Sequence, residues 1–147
     1  MILAVERAIA LAIQASRAHE FPVGAVVQHE GVIIGEGMNQ KETLKDPSAH
    51  AELLAIRAAA EAIGDWRLTG AILVSTLEPC PMCLGAILQA RIAHVVYLAK
   101  DIRWGACGSV MDFSQHQALN HQCTLEYRPN STVVDLMKQF FKQEGKR

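Results

Sequence analysis

Four residues of this 147-residue chain have types and spacings suited to hydrolytic metal chemistry: His50 and Glu52, and thirty residues further on Cys80 and Cys83. Two thiols and an imidazole are three ligands of the soft to borderline kind that a catalytic zinc takes when its fourth position is left for a reactive water. Glu52 follows the imidazole by two residues and offers a carboxylate to move protons beside that water. Cys80-Pro81-Met82-Cys83 by itself also admits a disulfide, a redox dithiol, a structural metal site or two packed thiols. A disulfide here would close too short a loop to be useful. A redox pair leaves His50 and Glu52 without a task. A closed structural zinc site normally has four protein ligands, and neither Cys107 nor Cys123 is spaced as an obvious fourth, so both read as packed thiols.

A lone histidine is more often structural than a ligand. His50 gains meaning from Glu52 and from opening a helix. Residues two apart on a regular helix do not share a face, so spacing alone does not carry both side chains to one ion. The elements that position them follow from periodicity and breakers. Ile2 to about His19 is alanine-rich with apolar residues at helical spacing, and Pro22 ends it. Val23–Val27 and Val32–Gly35 read as a hairpin turning at His29-Glu30-Gly31. A polar loop runs from Met38 to Pro47. Asp46-Pro47 then starts a helix to Ile63 that carries His50 and Glu52 in its first turn, and Gly64-Asp65 stops it.

Ala71–Ser75 and Ile92–Ala99 are almost wholly apolar strands around a helix from Cys80 to Arg91, which predicts parallel pairing in a sheet covered on both faces. Cys80 and Cys83 stand one helical turn apart at the start of that helix, where free N–H groups favour the thiolate. Residues 101–108 form a glycine-bearing loop and 109–122 an irregular stretch. Cys123–Tyr127 is an edge strand, before a last helix from Ser131 to Glu144 with Val133, Leu136, Met137, Phe140 and Phe141 on one stripe. No repeat or linker divides the chain, so one α/β domain over 1–147 is expected.

Half the residues are hydrophobic and a fifth are charged, which excludes a disordered chain. The net charge of −1 gives the whole molecule no electrostatic attraction to nucleic acid, although Arg128, Lys138, Lys142, Lys146 and Arg147 against Asp135 and Glu144 leave the C-terminal end at +3. That end suits either a phosphate backbone or a solvated helix face. No secretory leader is seen and no segment approaches the ~18 consecutive apolar residues of a membrane span, so a cytoplasmic protein is expected.

His50-Ala51-Glu52 with Pro79-Cys80-Pro81-Met82-Cys83 matches the H-x-E…P-C-x-x-C signature of the zinc nucleoside and base deaminases. Pro22-Val23-Gly24-Ala25-Val26, Glu36-Gly37-Met38-Asn39, Asp46 to Glu52, Thr76 to Cys80 and Gly105 to Asp112 resemble the bacterial tRNA-specific adenosine deaminases in sequence and order, across nearly the whole chain. The resemblance implies a three-layer α/β/α cytidine-deaminase-like fold with a mixed five-stranded sheet. It also implies a homodimer that converts adenosine to inosine at the wobble position of a tRNA anticodon stem-loop. The zinc ligands then fall on His50, Cys80 and Cys83 and the proton shuttle on Glu52. Asn39, with Val23 and Ala51, falls where the family holds the flipped nucleotide, and Asp101 and Arg103 where it meets flanking nucleotide and phosphate. The chain departs from the pattern at Gln40, where arginine is common, and over Lys100-Asp101-Ile102-Arg103-Trp104, which lacks the usual proline and lysine. Trp104 is suited to stacking on a base, to core packing or to a dimer contact. Guanine deaminases share His-Ala-Glu and can share Pro-Cys-Pro-Met-Cys, so the same chemistry on a free base or nucleoside is the alternative.

Overall fold

The computed structural model describes residues 1–144; Lys146 and Arg147 of the basic C-terminal end lie outside the described residues. In chain order the elements are α1 (Ile2–Arg17), β1 (Gly24–His29), β2 (Val32–Met38), α2 (Lys41–Leu44), α3 (Ala51–Ile63), β3 (Ile72–Ser75), α4 (Pro81–Gln89), β4 (His94–Tyr97), β5 (Thr124–Tyr127) and α5 (Ser131–Glu144). The strands form one mixed sheet in the order β2-β1-β3-β4-β5. The hairpin β1–β2 and the pair β1–β3 are antiparallel, whereas β3–β4 and β4–β5 are parallel. The hairpin closes through two residues, Glu30 (φ 50°) and Gly31 (φ 80°), both in the left-handed region that a type I′ turn demands.

Register decides which helix covers which face, because residues opposite one another point the same way. Ala25 and Val27 stand opposite Gly37 and Gly35, and this face meets α3. The helix comes in unusually close there: a Cβ on Gly35 would meet the carbonyl of Ala55, and one on Gly37 the carbonyl of Ala51. Alanines answer the glycines, since Ala51, Ala55 and Ala59 form the buried stripe of α3. On the opposite face Glu36 pairs with Arg7 of α1 at 2.6 Å. The helices α1 and α5 share this second face, α3 packs on α4 across the first, and the three layers follow. β3 and β4 are buried beyond their first residue, as their apolar sequences predict.

Two expectations shift. The helix bearing Glu52 begins at Ala51 rather than Pro47, because Asp46 Oδ1 takes the backbone N–H and the hydroxyl of Ser48 at 2.8 and 2.7 Å and turns 46–49 on itself. The polar loop 38–47 contains the short helix α2, held by Glu20: its carboxylate accepts Glu42 N–H (3.0 Å), Thr43 N–H (2.7 Å) and the Thr43 hydroxyl (2.6 Å). Among the described residues no helix is long and apolar enough to cross a membrane.

Candidate zinc active site

His50 and Cys80 are the N-cap residues of α3 and α4, in extended conformation, and Pro81 at the first helical position fixes the start of α4. Two helix starts therefore meet at the same end of the sheet. His50 Nδ1 lies 3.6 Å from Cys80 Sγ and 3.4 Å from Cys83 Sγ. Zinc bonds of ~2.3 Å to sulfur and ~2.0–2.1 Å to nitrogen, opened to the tetrahedral angle, place sulfur and nitrogen about 3.6 Å apart. The three atoms lie within 4.8 Å of one another, so a zinc ion would be held here by His50, Cys80 and Cys83 through one imidazole nitrogen and two sulfurs.

Cys80 is held down to about 4, chiefly because it accepts a hydrogen bond from the Cys83 thiol; burial opposes this and His50 assists it. Cys83 is pushed up by that same proton, by burial and by the neighbouring Glu52 carboxylate. A cation held there would favour the thiolate form of both sulfurs.

Glu52, in the first turn of α3, is 3% exposed, and its carboxylate is close enough to Cys83 to act on the thiol. Its position resolves the spacing objection: His50 is the cap and not a helical residue, so its extended backbone brings the imidazole round to the side that Glu52 faces. A cavity of about 410 Å³ opens on this point, lined by His50, Glu52 and Cys80 together with Val23, Asn39 and Ala51. Asn39 is buried and oriented: its Nδ2 donates to Phe21 O (3.1 Å) and its Oδ1 accepts Lys41 N–H (3.2 Å).

Asp101 and Arg103 lie outside that lining. Asp101 Oδ1 accepts the N–H groups of Arg103 (3.0 Å) and Trp104 (3.1 Å), which folds residues 101–104 into a turn that leaves Trp104 59% exposed and so not packed in the core. The turn is fixed by a residue that the sequence pattern did not single out. Glu78, 1% exposed, accepts Asp101 N–H (3.1 Å), Cys107 N–H (2.9 Å), Ser109 N–H (3.1 Å) and the Ser109 hydroxyl. Ala106 N–H bonds Pro79 O at 2.8 Å, so the same loop braces the residue before Cys80. The available signal was a carboxylate between an apolar strand and a metal-binding turn, where it must find donors or carry a desolvation cost.

Fold and ligand set together define a zinc-dependent deaminase. The chain belongs to the cytidine and deoxycytidylate deaminase zinc-binding family, whose zinc-binding region matches residues 2–99. Its relatives narrow the branch. The tRNA-specific adenosine deaminase of Bacillus subtilis (strain 168) is 44% identical over 120 residues, 82% of this chain and 74% of that protein. A structure solved in work on A-to-I editing by tRNA:A34 deaminases at the wobble position of transfer RNA superimposes with a TM-score of 0.88 at 36% identity, covering 92% of this chain and 99% of that one. A guanine deaminase from Bacillus subtilis superimposes less closely, with a TM-score of 0.65 at 33% identity over 99% and 96% of the two chains.

Proposed function

We propose that this protein hydrolyses adenosine to inosine at the wobble position of tRNA anticodons, as a cytoplasmic homodimer. The observation that carries the chemistry is the convergence of His50, Cys80 and Cys83 on one point beside the buried Glu52, at the edge of a cavity of about 410 Å³. The likeness to relatives named as tRNA-specific adenosine deaminases supports the substrate.

Zinc held by these three residues supplies Lewis acidity that lets water ionise near neutral pH. Glu52 takes a proton from the attacking water and delivers it to the ring nitrogen beside carbon 6 of the adenine. After oxygen has added at carbon 6, Glu52 passes the second proton to the amino group. The carbon–nitrogen bond breaks, ammonia leaves, and adenosine plus water has become inosine plus ammonia. One carboxylate serves as base and then as acid. Asn39 orients the base within the cavity while Val23 and Ala51 pack beside it, and we assign Asp101 and Arg103 to the flanking nucleotide and its phosphate.

Incubation of the zinc-loaded protein with an anticodon stem-loop, adenosine, guanine and cytidine in parallel tests the substrate. Inosine is expected in the stem-loop. Turnover of guanine with none of the RNA would assign the site to a free base instead.

A further inference from the structure

The charges lining the cavity do not suit a nucleic acid at first sight. Glu20, Glu42, Glu52 and Glu78 all border it, and a phosphodiester brings more negative charge. Glu20 and Glu78 are buried and their oxygens are occupied by the hydrogen bonds described above, so neither turns to receive a substrate cation. Among the described lining residues Lys41 is the only one with a permanent positive charge.

Lys41 is also firmly held. Its backbone N–H bonds Asn39 Oδ1, which ties the start of α2 to the Asn39 amide. The next two residues are pinned by Glu20, and Gln40 N–H bonds Ala49 O at 3.0 Å, directly before His50. Its ammonium is left available: among the described residues Lys41 makes no ion pair, and although Glu20 feels its charge, the Glu20 oxygens are spent on Glu42 and Thr43. The neighbouring Gln40 does not line the cavity, whereas Lys41 does.

We infer that Lys41 is a specificity-determining residue that binds a backbone phosphate next to the base held by Asn39. This rests on the reading of the substrate as RNA. A half-buried lysine at the start of α2 offsets the carboxylates where the phosphate enters, and it favours a nucleotide within a strand over a free base, which has no phosphate to bind.

Lys41→Gln and Lys41→Arg, loaded with zinc, would be compared with the unaltered protein on an anticodon stem-loop over a series of salt concentrations. The same RNA carrying a methylphosphonate on either side of the wobble adenosine forms the second arm. Lys41→Gln is expected to raise KM about tenfold with kcat within about twofold, the loss of one charge-assisted contact. It should flatten the slope of log binding against log salt by about 0.7, as for one single-strand phosphate. Lys41→Arg should restore both, and one methylphosphonate should cost the unaltered protein as much as the glutamine costs, with no further loss when the two are combined. An unchanged KM and salt slope in Lys41→Gln would overturn the inference, as would a fall in kcat and melting temperature that arginine does not rescue. If the unaltered protein makes no inosine in the stem-loop, the reading of the substrate fails first; if it does, Lys41→Gln alone decides.

Discussion

His50 Nδ1 and Cys80 Sγ lie 3.6 Å apart, and each belongs to the N-cap residue of its own helix. Caps are extended, so their side chains are free of the helical face rule and can turn toward one another. The site is thus built where two helices begin, and its precision depends on how closely α3 sits on the sheet.

That dependence gives a first prediction. Gly37→Ala places a methyl group against the carbonyl of Ala51, the residue between His50 and Glu52. Backbone cannot yield as a side chain tip can, so α3 must move out. We expect a loss of about 1–3 kcal/mol in denaturant unfolding together with weaker zinc retention under chelator competition. An Ala variant with unaltered zinc affinity would uncouple the hairpin from the site.

Glu78 holds the loop that carries Asp101 and Arg103. Glu78→Gln turns one acceptor oxygen into a donor facing the N–H groups of Cys107 and Ser109 or of Asp101. A destabilisation of about 2–4 kcal/mol is expected from buried donors left unmatched. Hydrogen exchange should show the amides of Cys107 and Ser109 losing protection before those of β3 do.

Glu20 yields a pH dependence. Burial raises its pKa, but the hydrogen bonds from Thr43 and Glu42 outweigh burial and hold it below the ordinary value of 4.5. A carboxylate depressed in the folded state adds stability above its unfolded pKa and loses it as pH falls through the folded value. Glu20→Gln should therefore be less stable than the unaltered protein at pH 7, and the gap should close as pH drops below about 4.5. A gap that widens in acid would contradict the hydrogen-bonding account.

Thiol chemistry separates Cys80 from Cys107 and Cys123 once zinc is removed. With Cys80 held at about 4, its alkylation by iodoacetamide should stay nearly flat from roughly pH 8 to pH 5, where an ordinary thiol slows about tenfold per unit. Cys107 and Cys123 are buried and pushed up, Cys123 to about 11, so both should react slowly. Peptide mapping by mass spectrometry reads the order of modification.

The sequence made the metal ligands and the layer order legible for physical reasons. A C-x-x-C after an apolar strand can put both sulfurs on one ion, and the apolar runs of β3 and β4 demand cover on both faces. α3 starts four residues later than Asp46-Pro47 predicts, because Asp46 spends its oxygen on Ser48 two residues later instead of capping a helix. α2 is not legible in the sequence because a four-residue helix has no periodicity of its own; it depends on Glu20, some twenty residues away. Glu20 and Glu78 escaped notice for the same reason. A buried carboxylate is recognisable only through its donors, and these come from distant parts of the chain.

The account turns on Glu52 as the one group that moves protons in the reaction. Zinc content, melting temperature and inosine formation on an anticodon stem-loop, measured side by side for Glu52→Gln and the unaltered protein, test this most directly. The account predicts one zinc per chain and an unchanged fold in the variant, with turnover lowered by at least ~10²–10⁴-fold. Deamination near the unaltered rate by a zinc-loaded Glu52→Gln protein would contradict it.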